Sequence, residues 1–190
     1  MRRFFILVVF IGFSPFLLHA GDGRTIPLDM YLIIDNSIAI ENSKKDTIDW
    51  ITSQVVDRIL TDGDKITIWA AGDKAELIYS DTLSGAAAKK GILDKLQTLK
   101  TGGKKADFTG ALRDVLSRVS QTAGDRSRIS YTMLITGSAE GMEPAISAGS
   151  QGLLRWFRSE KYERWQVLVV APDIGKTVQQ AAAAYMASLR

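Results

Sequence analysis

Three short runs of almost unbroken apolar residues set the architecture: Leu28 to Ile34 (LDMYLII), Tyr131 to Thr136 (YTMLIT) and Val167 to Val170 (VLVV). A strand with one face in water alternates apolar and polar residues, so runs of this kind belong to strands covered on both faces, as in a parallel sheet. The segments between them carry a different period. Ile48, Ile51, Val55 and Ile59 share one helical face, with Ser43 and Asp46 spaced as a capping box before them. After the turn Asp62-Gly63-Asp64, the alternation Ile66, Ile68, Ala70 predicts a strand, with Ala75 to Tyr79 as its hairpin partner across Gly72-Asp73. A second helix is predicted from about Ala86 to Leu99, with Ile92, Leu96 and Leu99 inward, stopping before Gly102-Gly103. A third carries Leu112, Val115, Leu116 and Val119 at i, i+3, i+4, i+7 and ends near Gly124. Gly137 to Ser150 reads as a long loop, followed by a short helix over Leu153 to Phe157. A closing helix carries Val178, Ala182, Tyr185, Met186 and Leu189.

This order predicts an α/β fold of three layers: an open Rossmann-like sheet, mostly parallel with one antiparallel edge strand, and helices on both faces. In such sheets ligands bind beyond the carboxyl ends of the strands. The stretches to watch are therefore Asp35 to Asn42, Thr101 to Thr109 and Gly137 to Pro144.

The amino terminus narrows the chemistry. Arg2 and Arg3 precede an apolar run from Phe4 to Leu18, and Leu18-His19-Ala20 offers a small residue at a cleavage point, the pattern of a secretory signal peptide over residues 1–20. The run is about 15 residues, short of the roughly 20 that span a bilayer, so no stable membrane span is expected after cleavage. Residues 21–190 then form a single exported domain, periplasmic or secreted. Removing residues 1–20 takes away two arginines and no acid, leaving 22 bases against 21 acids, interleaved rather than clustered, which does not suit a nucleic-acid partner. It also removes His19, the only histidine, and the chain has no cysteine. Histidine-based nucleophilic catalysis, thiolate or imidazole zinc sites and disulfides are all excluded from such a product. Its chemistry is confined to carboxylates, hydroxyls, lysines and oxygen-bound metal.

At the end of the first strand stand Asp35-Asn36-Ser37, oxygen ligands at i, i+2; DFTGAL opens the third helix, and MLITGS ends the fourth strand. With these segments the chain resembles the von Willebrand factor type A domain family over nearly all of residues 21–190. The resemblance implies a metal-ion-dependent adhesion site at this end of the sheet, built from Asp-x-Ser-x-Ser, a threonine six residues before the leucine of a Thr-x-x-x-x-Ala-Leu segment, and an aspartate in Leu-Thr-Asp-Gly. It also implies a magnesium-type ion held by oxygen ligands from three loops. Asp35 and Ser37 match the first two positions, whereas Ala39, Ala106 and Gly137 stand where the other three oxygen ligands belong. The expectation carried forward is the fold and the place of the site, with no cofactor.

Two further arrangements use neighbouring groups. Asp35, Ser37, Asp107 and Thr109, with Ser138 and Glu140 in the same loops, would rebuild a weaker magnesium or manganese site. Alternatively, Lys104 or Lys105 would supply Asp35 with the positive charge a metal would otherwise bring. The plainest reading has Asp35 capping the following turn and Ser37 satisfying backbone groups. Asp62, Asp64 and Asp73 lack the spacing of a calcium loop and read as turn residues, while Trp50 and Trp69 read as packing. A carboxylate-based phosphatase or hydrolase is a further alternative, weakened because Ser37 stands where phosphatases of the haloacid dehalogenase type place a second aspartate. The reading as a whole is a non-enzymatic, metal-independent module that binds another protein of the cell envelope or extracellular space through its loop face. A cation-dependent adhesion domain is the alternative.

Overall fold

All eight residues of the first strand are buried, and the parity of its side chains shows why its sequence does not alternate. Leu28, Met30, Leu32 and Ile34 enter one apolar cluster, while Tyr31 and Ile33 enter another on the opposite face. Both faces of the strand are roofed, so neither parity has a reason to be polar.

The computed structural model describes residues 26–122 and 127–136, and the backbone of 165–170. The strands are β1 (Leu28–Asp35), β2 (Lys65–Ala71), β3 (Ala75–Thr82), β4 (Ile129–Ile135) and β5 (Trp165–Val170). They form one five-stranded sheet in the order β3-β2-β1-β4-β5. Among the described strands only the β2–β3 pair is antiparallel, closed across Gly72-Asp73 as expected, so β3 is the antiparallel edge. The register along β1 sets Met30 beside Ile66 of β2 and Tyr131 of β4, and Ile34 beside Ala70 and Ile135. Between β2 and β3 the pairing slips from Ile68–Tyr79 to Trp69–Leu77, a bulge at Ile78.

The helices α1 (Lys44–Trp50), α2 (Gly85–Thr98) and α3 (Phe108–Gln121) complete the layers. On one face Ile51, Val55, Val56 and Leu60, with Ile92 and Leu96 of α2, cover the even-numbered residues of β1. On the other, Phe108, Ala111, Leu112, Val115 and Val119 of α3 cover Tyr31, Ile33, Trp69 and Leu134. Trp69 is wholly buried in this second cluster, and Trp50 packs half-buried on the first. Burial, reinforced by the negative charge of Asp29, pushes the Tyr31 phenol up to about 12.

The first helix departs from the expected start. Ser43 caps nothing through its side chain, because the chain is already turning in a 3-10 helix over Ile38–Ser43, and the Ser43 hydroxyl donates back to the Ile40 carbonyl. The capping box is thus not formed. Beyond Trp50 the helix widens into a π-helical turn, Ile51–Val56, which brings Val56 and Leu60 inward together with Ile51 and Val55. The third helix ends at Gln121, three residues before Gly124. The loop from Gly137, the helices over 153–157 and 178–189, and the signal peptide lie outside the described residues. Among the described residues no helix is long and apolar enough to cross a membrane.

Candidate binding site

Because β1, β2 and β4 run parallel, their carboxyl ends meet at one edge of the molecule, and three described loops converge there: 36–38 after β1, 72–74 between β2 and β3, and 99–107 between α2 and α3. Backbone groups knit them together. The Asn36 N–H donates to the Ala71 carbonyl at 2.9 Å, the Gly102 and Gly103 N–H groups donate to the Asn36 carbonyl at 3.1 and 3.3 Å, and the Ile38 N–H donates to the Gly103 carbonyl at 2.8 Å. Ser37 and Gly103 thereby form a one-residue parallel bridge. On the other side, the Asp107 N–H donates to the Gly72 carbonyl at 2.8 Å, and the Lys104 N–H donates to Asp73 Oδ1 at 2.9 Å. Gly103 lies so close to Gly72 that a Cβ on it would sit 2.6 Å from the Asp73 nitrogen and 2.8 Å from the Gly72 Cα. α2 ends at Thr98, before the Gly102-Gly103 pair as expected, and Gly103 seats the loop on the hairpin.

Asp35 is 3% and Ser37 2% exposed, and the two belong to one turn: the Ser37 N–H donates to Asp35 Oδ1 at 2.8 Å. The hydroxyl of Thr136, fully buried at the end of β4, donates to Asp35 Oδ2 at 3.3 Å. The Asp35 carboxylate thus has the turn-capping geometry of the plainest reading. Asp107 sits elsewhere. It is the N-cap of α3, where its Oδ1 accepts from the Gly110 N–H at 2.8 Å and its Oδ2 from the Ala75 N–H at 3.3 Å. Thr109 is half-buried in the first turn of that helix. Lys104 and Lys105 are exposed, and among the described residues neither forms an ion pair with Asp35, contrary to the charge-replacement expectation. Ser138 and Glu140 lie outside the described residues.

The donor set does not fit a divalent ion held in the manner of the adhesion site. Ala39 and Ala106 bring no side-chain oxygen, and both oxygens of Asp107 are directed to backbone N–H groups of α3 and β3. Among the described residues no group of three or more His, Cys, Asp or Glu is placed to share a metal.

What the loops present outward differs from what they bury. Ile38 is 72% exposed at the head of the 3-10 helix, pinned by its N–H on Gly103. The converging loops also carry the exposed Lys100, Lys104 and Lys105, and Lys74 in the hairpin turn. Two side-chain contacts brace the rim: Thr101 Oγ1 donates to Glu41, and Lys44 Nζ to the Leu99 carbonyl.

At the opposite end of the sheet is a polar assembly that no local motif announces. Arg128, just before β4, donates to Asp29 Oδ1 at 2.6 Å, to the Leu28 carbonyl at 2.7 Å and to the Gly63 carbonyl at 3.1 Å. The fully buried Asp64 accepts from the Leu28 N–H at 2.7 Å and the Thr61 N–H at 2.9 Å, while Asp62 accepts from the Gly85 N–H at 2.8 Å. With Asp73 on Lys104, these three aspartates are turn residues, as their spacing suggested.

The sheet order, the single antiparallel edge and the two helical layers define a von Willebrand factor A-like fold. Solved structures share this fold. The chain superposes on proximal thread matrix protein 1 of the mussel byssus with a TM-score of 0.57 at 16% identity, over 77% of this chain and 37% of that one. On the manganese-loaded TRAP protein of Plasmodium vivax the TM-score is 0.55 at 18% identity, over 77% and 58% of the two chains. For the von Willebrand factor type A protein of Catenulispora acidiphila it is 0.50 at 14%, over 77% and 33%. No family model matches the chain. Over 121 residues it is 27% identical to an uncharacterized protein of Treponema pallidum (strain Nichols); the match covers 63% of this chain and 53% of that protein, so the chain spans about half the length of this relative.

Proposed function

We propose that the protein is an exported interaction module that binds another protein of the cell envelope or extracellular space through the loops at the carboxyl ends of its strands, without a metal bridge and without covalent chemistry. The observation that carries this reading is Ile38. A large aliphatic side chain left 72% exposed on a loop whose backbone is tied to the 99–107 loop and to the end of β2 is a rigid apolar knob, and burying it against a partner is favourable by about 1.5–3 kcal/mol. The buried polar groups beneath it, Asp35, Ser37 and Thr136, then serve to hold the loops. The donor set supports metal independence, and the Arg2-Arg3 and Phe4–Leu18 pattern supports export.

The test is a photo-crosslinking side chain introduced at position 38 in the native host, with position 77 as control, since among the described residues Leu77 on β3 is the other exposed large hydrophobic residue. The reading expects a protein adduct at 38 and none at 77, undiminished by EDTA, on a chain whose amino terminus begins near residue 21. An adduct lost on chelation would establish the cation-dependent alternative instead. Thermal unfolding gives an independent check: a site filled at about 100 times its Kd adds roughly 2.7 kcal/mol, a shift of about 5–10 °C. No such shift is expected with magnesium, manganese or calcium. No magnesium-dependent turnover of a generic phosphate ester is expected either.

A further inference from the structure

Residues 100–105 read Lys-Thr-Gly-Gly-Lys-Lys, six residues without an apolar side chain. They join α2, whose Ile92 and Leu96 belong to the cluster on one face of the sheet, to α3, whose Phe108 and Val115 belong to the cluster on the other. The chain therefore crosses the carboxyl end of the sheet as a strap, anchored by Leu99 in the first cluster and Ala106 in the second. Its seam is made of backbone donors: the Gly102 and Gly103 N–H groups on the Asn36 carbonyl, the Ile38 N–H on the Gly103 carbonyl, and the Lys104 N–H on Asp73 Oδ1. Thr101 adds a side-chain bond to Glu41. Ile38 joins the seam through its N–H while its side chain stays 72% exposed. Parting such a seam uncovers little apolar surface, and water replaces each bond broken, so the hydrophobic term that holds the helices down does not hold the strap. Closure also leaves one group unmet. The Asn36 side chain stands at the seam, its nitrogen and the Gly103 nitrogen both within 4 Å of the point a Cβ on Gly72 would occupy, and its Oδ1 is buried without a hydrogen-bond partner among the described residues. Opening lets water reach that oxygen, which offsets part of the loss.

We propose that the strap is a latch: it opens and closes on the ends of β1 and the hairpin as one unit while both helices stay packed, and in its closed form it fixes Ile38 for a partner. The second half rests on the interaction-module reading; the first stands without it. Gly103 is the seat of the latch. Its N–H and its carbonyl both take part in the seam, one toward Asn36 and the other toward Ile38, and it lies against Gly72 where an added Cβ finds no room. When the seam parts, the Ile38 N–H loses its acceptor and the head of the 3-10 helix is no longer tied to the loop that crosses above it. The rigidity of the exposed isoleucine is thus conditional, and a partner that grips it selects the closed latch.

The test is native-state hydrogen exchange of the purified protein, read by NMR at increasing urea. The Ile38, Gly102, Gly103 and Lys104 amides should share one opening equilibrium, at least about 100-fold more open than the β1 amides and insensitive to low urea, because little surface is exposed. The neighbouring Asn36 and Asp107 amides, bonded to the Ala71 and Gly72 carbonyls, should stay protected. Thr101→Val and Asp73→Ala should each speed all four together by about threefold to tenfold, the factor for one hydrogen bond. Four amides that respond separately, or that share the protection of the β1 amides, would overturn the latch. For the coupling to Ile38, Gly103→Ala places a Cβ 2.6 Å from the Asp73 nitrogen and wedges the seam apart. The adduct from a photo-crosslinking side chain at position 38 in the native host should then fall by at least about threefold. Asp73→Ala combined with Thr101→Val, which adds no bulk, should lower it in the same direction. An undiminished adduct from a variant whose four amides exchange freely would overturn the coupling. No adduct even with the wild-type strap would overturn the interaction reading and the coupling with it, and leave the latch to be decided by exchange alone.

Discussion

Asp107 and Gly110 form a lock whose strength can be measured. The carboxylate caps α3 and lies over Gly110, where a Cβ would fall 2.9 Å from Asp107 Cγ and closer still to Oδ2. Gly110 has no positive φ, so its backbone suits any residue. In an exposed helix, exchanging glycine for alanine stabilises by up to about 1 kcal/mol. Here Gly110→Ala must evict the carboxylate, removing an N-cap worth about 1–2 kcal/mol and the 3.3 Å bond to Ala75, worth about 0.5 kcal/mol. The net effect expected in the wild-type background is a loss of about 0.5–1.5 kcal/mol. In an Asp107→Ala background the obstacle is gone, and the same Gly110→Ala change should stabilise by about 1 kcal/mol. The two substitutions therefore couple by about 1.5–2.5 kcal/mol, measurable by urea unfolding of the four proteins in a double-mutant cycle. At about 2–4 °C per kcal/mol, the sign reversal is also visible in Tm. Equal stabilisation by Gly110→Ala in both backgrounds would refute the reasoning and show that Asp107 does not cap α3 in solution.

Gly103→Ala forces backbone apart, since the new Cβ would stand 2.6 Å from the Asp73 nitrogen; a loss of about 2–4 kcal/mol is expected, with faster amide exchange at Ile38 and Lys104, and an unchanged Tm would contradict the close approach. Arg128→Met leaves Asp29, 4% exposed, buried without its cation and removes two carbonyl bonds; a loss of about 3 kcal/mol is expected by denaturant unfolding, reduced when Asp29→Asn is added. Tyr31 has its folded pKa raised to about 12 against 10 when unfolded, so above pH 10 the unfolded chain sheds the proton first. Its contribution to stability is complete below pH 10 and lost between pH 10 and about 12, a decline that Tyr31→Phe should reduce in alkaline unfolding curves.

The strands, the hairpin and the two long helices were legible because each is specified locally. Ile92 and Leu96, or Val115 and Val119, repeat at helical spacing whatever lies above them, and the runs LDMYLII and YTMLIT announce strands covered on both sides. The start of the first helix was not legible. Ser43 and Asp46 have the spacing of a capping box, but Ile38 and Ile40 had already begun the turn: the Ile38 N–H is fixed on Gly103, 65 residues away in sequence, and the Ile40 N–H bonds back to the Ser37 carbonyl. The π-helical turn at Ile51–Val56 was equally hidden, since widening by one residue follows from the surface it must cover.

The sequence alone determined the architecture and the end of the sheet where a site would lie, because hydrophobic period and chain order are local quantities that leave few topologies open. It also determined that Ala39, Ala106 and Gly137 bring no side-chain oxygen. Only the tertiary structure decided what each polar residue does there. Asp107 and Thr109 have the chemistry of metal ligands and Lys104 that of a counter-ion, yet Asp107 is turned to Gly110 and Ala75, and Lys104 lends its backbone N–H to Asp73 while its side chain stays in water. A carboxylate accepts from whichever donor the fold brings within about 3 Å, and for Asp107 those donors are backbone amides, that of Ala75 brought there from 32 residues away in sequence.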